Sequence, residues 1–223
     1  QQQVKFHGLN TESDIILLQP SEGKSYVETS DILGKIEENK DDLALVMLGG
    51  VNYYSGQFFE LDKITKKAHE VGAIAGYDLA HAAGNIVLKL HDWNVDFACW
   101  CSYKYMNSGP GNASGIFVNE KYLDSKDIPR FEGWWGTKKE TRFLMKPKFE
   151  PMANADAWQV SNPPVLSLAP YLASLEMFEE VGMDALIEKR NTMTAYLEFV
   201  LQEIDKEVEG SFEIITPQDR GCQ

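Results

Sequence analysis

The sequence predicts an α/β fold with a mostly parallel central sheet. Three observations lead there. Residues 43–48, 73–77 and 97–101 are continuous apolar runs, too short for buried helices, and each ends at glycines or at an ionisable group. Between the first two, Leu61, Ile64, Ala68 and Val71 recur at helical spacing and Gly72 supplies a stop. Strand, helix, strand of this length fits a parallel crossover, whose ligands lie beyond the strand C-termini. With 223 residues the chain can hold one large domain, expected over 1–182, and part of a smaller one, expected over 183–223 with its boundary at Gly182.

In chain order, residues 14–18 (DIILL) form an apolar run closed by Gln19-Pro20-Ser21, a strand and turn pattern. Thr29-Ser30-Asp31 is placed to cap a helix carrying Ile32, Leu33 and Ile36. Residues 43–48 read as a strand buried on both faces, ending at Gly49-Gly50 on the same rim as Asp78. Residues 85–91 and 97–103 supply two further extended segments, and residues 115–118 return antiparallel. Residues 121–152 are irregular around Gly133-Trp134-Trp135-Gly136; a long aromatic loop is more often functional than filler. Two helices follow, one with Leu168, Leu172, Leu175 and Phe178 on one side, one carrying Leu186, Met193, Leu197, Leu201, Ile204 and Val208. Residues 212–215 are again strand-like.

A hydrophobic content of 43% supports a substantial core, and a net charge of −13 disfavours nucleic acid and anionic membranes as partners. No apolar run reaches the roughly 18 residues of a membrane span. Three cysteines, Cys99, Cys101 and Cys222, make no disulfide framework, so a cytoplasmic location is expected.

The chemistry concentrates between residues 73 and 115. Asp78 closes one apolar strand and Lys104 follows another, 26 residues on. A lysine at a strand end is usually a solvated charge. This one sits between Tyr103 and Tyr105 after an apolar run, a setting that favours the neutral amine of Schiff-base chemistry. Asp78 fits either a cap for the turn beginning at Leu79 or a carboxylate against a pyridinium nitrogen. An acid and a lysine so placed are what pyridoxal phosphate requires. His81, three residues past Asp78, would stack on the cofactor ring or bond the aspartate. His81, His91, Cys99 and Cys101 lack zinc spacing, so no metal is expected. The loop over 109–115 lacks the P-loop lysine, and Tyr54-Ser55-Gly56 lacks the serine-hydrolase elbow.

These residues resemble kynureninases. The likeness is carried by Tyr77-Asp78-Leu-Ala-His81-Ala-Ala-Gly-Asn85, Leu90-His-Asp-Trp93, residues 95–105, Gly133-Trp134-Trp135-Gly136, Thr141-Arg-Phe143, Ser161-Asn-Pro-Pro164 and Asp219-Arg-Gly-Cys-Gln223. More broadly the chain resembles the aspartate aminotransferase fold type (fold type I of the pyridoxal-phosphate transferases), in the class V branch shared with cysteine desulfurases. The resemblance implies a pyridoxal 5'-phosphate enzyme that hydrolyses the Cβ–Cγ bond of L-kynurenine or 3-hydroxykynurenine, giving alanine and an anthranilate in tryptophan catabolism. It implies Lys104 as the Schiff-base lysine and proton shuttle, and Asp78 on the pyridinium nitrogen with His81 beside it. Tyr103 and Trp134 would bind the phosphate, with Asn162 near the cofactor or substrate ring. Tyr103 is also the candidate acid–base partner at the substrate carbonyl. A homodimer with sites at its interface is implied as well.

Two departures stand out. The family generally carries a hydroxyl residue where this chain has Gly49, and the family's phosphate loop, ring-stacking aromatic and substrate-carboxylate arginine have no counterpart within these residues, as expected of a chain truncated at both ends. Ser161-Asn162 resembles the eukaryotic-type pair and suggests tolerance for 3-hydroxykynurenine. The rival readings are a cysteine desulfurase-like lyase, for which the only cysteine outside the central strand is Cys222, and a catalytically incomplete fragment.

Overall fold

A computed structural model of the chain describes residues 1–123, 125, 128–208, 210 and 212–217. A short helix α1 (Gln2–Phe6) is followed by α2 (Thr29–Glu38), β1 (Leu45–Gly49), α3 (Leu61–Glu70), β2 (Ile74–Asp78), β3 (Phe97–Cys101) and β4 (Ser114–Val118). Two long helices, α4 (Val165–Val181) and α5 (Met183–Glu207), follow and meet at Gly182, whose positive φ of 77° breaks the helical path. The four strands form one sheet in the order β1-β2-β3-β4, with the first two pairings parallel and the last antiparallel. The expected α/β architecture is therefore present. Leu45 pairs with Ile74 and Gly49 with Asp78, so the ends of β1 and β2 share a rim.

The core lies on one face of this sheet. Ile32 and Ile36 of α2 and Leu61, Ile64 and Ala68 of α3 pack with Val46, Ala75, Tyr77 and Ala98. The Tyr77 hydroxyl meets Thr65 Oγ1 at 2.8 Å and donates to Leu61 O at 3.2 Å, so the buried phenol is satisfied by the helix above it. Side chains of opposite parity fall on the other face, where Leu45, Met47, Ile74 and Ile116 remain more than two-fifths exposed. The expectation that β1 is buried on both faces is thus corrected, because α2 and α3 both cover the same side. Two glycines make room for cross-strand rings: a Cβ on Gly76 would lie 2.2 Å from the Phe97 ring, and one on Gly115 would lie 2.2 Å from the Trp100 indole.

Several local expectations fail for identifiable reasons. Residues 14–18 pair with no strand, and Ile16 and Leu17 stay exposed. The helix α2 begins after Glu28, whose side chain makes no capping bond, with Thr29, Ser30 and Asp31 already inside its first turn; the Ser30 hydroxyl donates to Glu28 Oε2 and, among the described residues, accepts no backbone N–H. Residues 85–91 form no strand because the backbone there is already committed to turns: Ile86 N bonds Ala82 O, and Val95 N bonds Leu90 O. Residues 212–215 likewise form no strand among the described residues. The apolar side of α4 is present but Leu172 and Leu175 are not buried in the described chain.

Candidate active site

The rim begins at Asp78. Immediately after it, Leu79 N donates to Cys99 O, and the chain coils through residues 79–86, with Ala82 N and Ala83 N both bonded to Leu79 O. One Asp78 oxygen accepts the Ala80 N–H at 2.9 Å, an Asx-type turn that realises the capping reading. The other oxygen takes no hydrogen bond among the described residues, and the side chain faces solvent on the open face of the sheet. Both readings of this aspartate are therefore compatible: one oxygen holds the turn and the other is available.

Lys104 lies in a loop that closes on itself directly after β3. Ser102, fully buried, meets the Ser108 hydroxyl at 2.7 Å, and Ser108 N returns to Ser102 O. Asn107, at a positive φ of 53°, donates its N–H to Lys104 O. From outside, α4 fixes the same loop: Ser174 Oγ donates to Met106 O at 2.6 Å, and Asn112 Nδ2 donates to Ser167 O. The turn 79–86 approaches from the other side. Gly84 has φ of 79°, and a Cβ there would lie 2.9 Å from the Met106 side chain and 3.1 Å from the Tyr105 backbone. Only glycine lets the two loops meet so closely.

Their meeting brings His81 to Lys104. Nε2 of His81 is 2.9 Å from Lys104 Nζ; of the two roles expected for it, a bond to the aspartate is not formed among the described residues, where the imidazole meets the lysine, and stacking on a cofactor ring stays open. Burial, and then the neighbouring Lys104 charge, push the imidazole below its ordinary value, against an upward pull from Asp78. A neutral imidazole accepts from the amine. Two aromatic rings flank the histidine: Tyr53 at 5.9 Å between centroids and Tyr105 edge-on at 6.4 Å. Sequence reasoning missed Tyr53; its one signal is an aromatic pair, Tyr53-Tyr54, in an otherwise polar loop just after β1.

Tyr103 is half exposed, and among the described residues its side chain makes no hydrogen bond or ring contact with this group. Trp134 and Asn162 lie on two segments that pack against each other at Gly133 and Trp135. A Cβ on Gly133 would fall 2.2 Å from Val160, so the aromatic loop lies against the segment that leads into Ser161 and Asn162. Ser161 Oγ donates to Asn162 Oδ1 at 3.2 Å, and Trp134 remains 43% exposed. The chain thus brings His81 and Lys104 together beside Asp78, and among the described residues no hydrogen bond or ring contact ties Trp134 or Asn162 to them. Cys222 and the motif over 219–223 lie outside the described residues.

Gly49, opposite Asp78, has no steric reason to be glycine: a Cβ there would find its nearest neighbour, Val51 O, at an ordinary 3.5 Å.

Residues 16–211 match the Aminotransferase class-V family. The chain belongs to that family. Among curated relatives, the kynureninase of Christiangramia forsetii is 66% identical over 99% of this chain and 53% of its own length. The kynureninase of Flavobacterium psychrophilum is 62% identical over all of this chain and 53% of its own. The chain therefore spans about half the length of the curated relatives it matches. Among solved structures, the alanine–glyoxylate aminotransferase of a Nostoc species superposes with a TM-score of 0.59 at 18% identity, over 79% of this chain and 45% of that one. At that identity the likeness speaks for the fold.

Proposed function

We propose that the full-length protein is a kynureninase: it hydrolyses the Cβ–Cγ bond of L-kynurenine or 3-hydroxykynurenine to L-alanine and anthranilate or 3-hydroxyanthranilate, using pyridoxal 5'-phosphate. The observation that carries this reading is the Lys104–His81 pair at 2.9 Å on the rim that Asp78 opens, in a chain whose relatives at 62–66% identity are kynureninases. The donor set fits the cofactor. A primary amine without a carboxylate partner among the described residues, a carboxylate with one free oxygen and a neutral imidazole converge on one rim. When bound, the cofactor supplies an electron sink for the carbanion that forms on the amino-acid substrate.

The residues of this chain then take distinct tasks. Lys104 Nζ holds the aldehyde end of the cofactor and afterwards moves a proton at the substrate Cα. The Asp78 carboxylate keeps the proton on the ring nitrogen. His81 accepts from Lys104 Nζ and so orients the amine before the cofactor arrives. The Tyr103 hydroxyl moves a proton at the substrate carbonyl and, with Trp134, binds the phosphate; Asn162 orients the ring. A homodimer with sites at its interface, as the resemblance to kynureninases implies, is part of the proposal. So are the division into a domain over 1–182 and a second unit beginning at 183, tolerance for 3-hydroxykynurenine, and a cytoplasmic setting. No helix among the described residues is long and apolar enough to cross a membrane.

The test is an absorbance titration of the full-length protein with pyridoxal phosphate, borohydride reduction and mass mapping, followed by product analysis. Label on Lys104 with anthranilate and alanine released from kynurenine is the expected result. Sulfur release from cysteine without kynurenine turnover would favour the desulfurase-like alternative, and absence of the label would end the enzyme reading.

A further inference from the structure

The triplet Thr141-Arg142-Phe143 has no task in the chemistry above, yet it packs directly against the Trp134 loop. Arg142 opens a single 3-10 turn, Arg142–Leu144, folded back beneath residues 133–137. Its Nη2 donates to Trp135 O at 2.5 Å and to Thr137 O at 3.1 Å. The guanidinium carbon lies 4.4 Å from the Trp135 ring centroid and 5.4 Å from that of Trp134. Phe143 meets Trp134 edge-on at 5.5 Å and 76°.

Arg142 is only 8% exposed, and among the described residues it has no carboxylate partner and its Nε has no hydrogen-bond partner. A guanidinium withdrawn from water needs compensation. Here that compensation comes from two carbonyl oxygens and two indole faces, all belonging to the loop itself. The cation and the indoles therefore fix one another. Gly136 is held as well, since a Cβ there would lie 2.9 Å from Ala157 O. The root of the loop is thus fixed at two places while the Trp134 ring stays 43% exposed, which is how a rigid binding ring is presented.

We propose that Arg142 is a positioning residue: it holds the Trp134 indole in the orientation that receives the cofactor's phosphate. The inference rests on the reading of Trp134 as a phosphate-binding residue. Arginine is needed because its flat guanidinium lies against both rings while one of its nitrogens, Nη2, bonds two carbonyls; a lysine ammonium can reach the carbonyls but has no plane to lay on the indoles.

The test uses the full-length protein in four forms: wild type, Arg142→Lys, Arg142→Met and Trp134→Phe, with the Trp134→Phe/Arg142→Met double variant alongside. The readouts are the dissociation constant for pyridoxal phosphate, from its absorbance titration, and kcat on kynurenine at saturating cofactor. Either Arg142 variant is expected to weaken cofactor binding by on the order of tenfold or more while kcat at saturation largely recovers. The double variant is expected to be no weaker than Trp134→Phe alone. Should Arg142→Met not fold, Arg142→Lys, combined with Trp134→Phe in the same way, carries the comparison. A lowered melting temperature with unchanged cofactor affinity would make Arg142 a packing residue and overturn the proposal, as would losses that multiply in the double variant. If Trp134→Phe itself binds the cofactor as tightly as the wild type, the reading of Trp134 fails first, an outcome the single variants separate cleanly.

Discussion

Asp78 and Asp96 stand at opposite ends of the same parallel strands, and their surroundings differ in kind. Asp78 ends β2, faces solvent and accepts one backbone N–H. Asp96 immediately precedes β3, is 1% exposed, and accepts from Ala75 N at 2.6 Å, His69 Nε2 at 2.7 Å, Tyr122 Oη at 2.6 Å and Lys121 Nζ at 2.5 Å. One carboxylate is saturated by the protein and ties α3, β2 and the 3-10 turn after β4 into a knot. The other is left with an oxygen to offer. A structural acid in this fold is recognised by having every lone pair spoken for, and a functional one by what it leaves open.

The largest expected effect tests that distinction directly. Asp96→Ala in the full-length protein should lose about 3–5 kcal/mol of stability in chemical denaturation, because it strands a lysine, a tyrosine hydroxyl and a buried N–H together. Asp78→Ala should lose no more than about 1 kcal/mol, the worth of one turn-capping bond, while weakening cofactor binding severely. Equal destabilisation by the two substitutions would break the comparison.

Acid titration sharpens it. Burial alone would raise the Asp96 carboxyl, but the bonds from Ala75, Lys121, Tyr122 and His69 outweigh it and hold the group at about 2. A carboxyl depressed in the folded state stabilises fully above its unfolded value of about 3.9 and loses that contribution as pH falls toward 2. The stability difference between wild type and Asp96→Asn should therefore shrink between pH 5 and pH 2 by about 2–3 kcal/mol. A difference flat across that range would mean the four donors do not act on the ionised form.

How much of this was legible in the chain beforehand follows the same division. The strands β1, β2 and β3 were readable because each is a short apolar run stopped by glycine or an ionisable group, and α3 because Gly72 ends it at a positive φ of 81°. The placing of Asp78, His81 and Lys104 on one rim was readable because each lies at or within three residues of those strand ends. Asp96 was not. Its partners lie at positions 69, 75, 121 and 122, and no local spacing announces that a fold will bring them to one carboxylate. Residues 85–91 misled for the converse reason: their composition suits a strand, but Gly84 and the turn after Leu79 commit the backbone first. The contact of Arg142 with the Trp134 loop was equally hidden, since a Thr-Arg-Phe triplet carries no period and no cap.

A smaller effect concerns the imidazole on the rim. Burial and the Lys104 charge both lower His81, while Asp78 raises it. Removing the charge with Lys104→Met in cofactor-free full-length protein should move the His81 titration upward, followed by the ring C–H resonances in NMR. No movement would mean that the 2.9 Å contact has no electrostatic consequence and that His81 does not orient the amine.

The smallest effect belongs to Gly49, the position paired with Asp78 across the rim. Its added Cβ would meet nothing closer than 3.5 Å, in contrast with Gly76, where the same atom would strike the Phe97 ring. Glycine within a strand costs about 0.5–1 kcal/mol relative to a residue with a side chain, through the freedom it loses on folding. Gly49→Ser should therefore leave the fold intact and raise its stability by up to about that amount, whereas Gly76→Ser should lower it by about 1–3 kcal/mol through overpacking. The serine would stand on the same face as the open oxygen of Asp78. If the rim is the cofactor site, its hydroxyl adds a hydrogen-bonding group there without displacing one, and cofactor affinity should hold or improve. A loss of affinity in a protein of undiminished stability would show that this edge of the rim must stay bare.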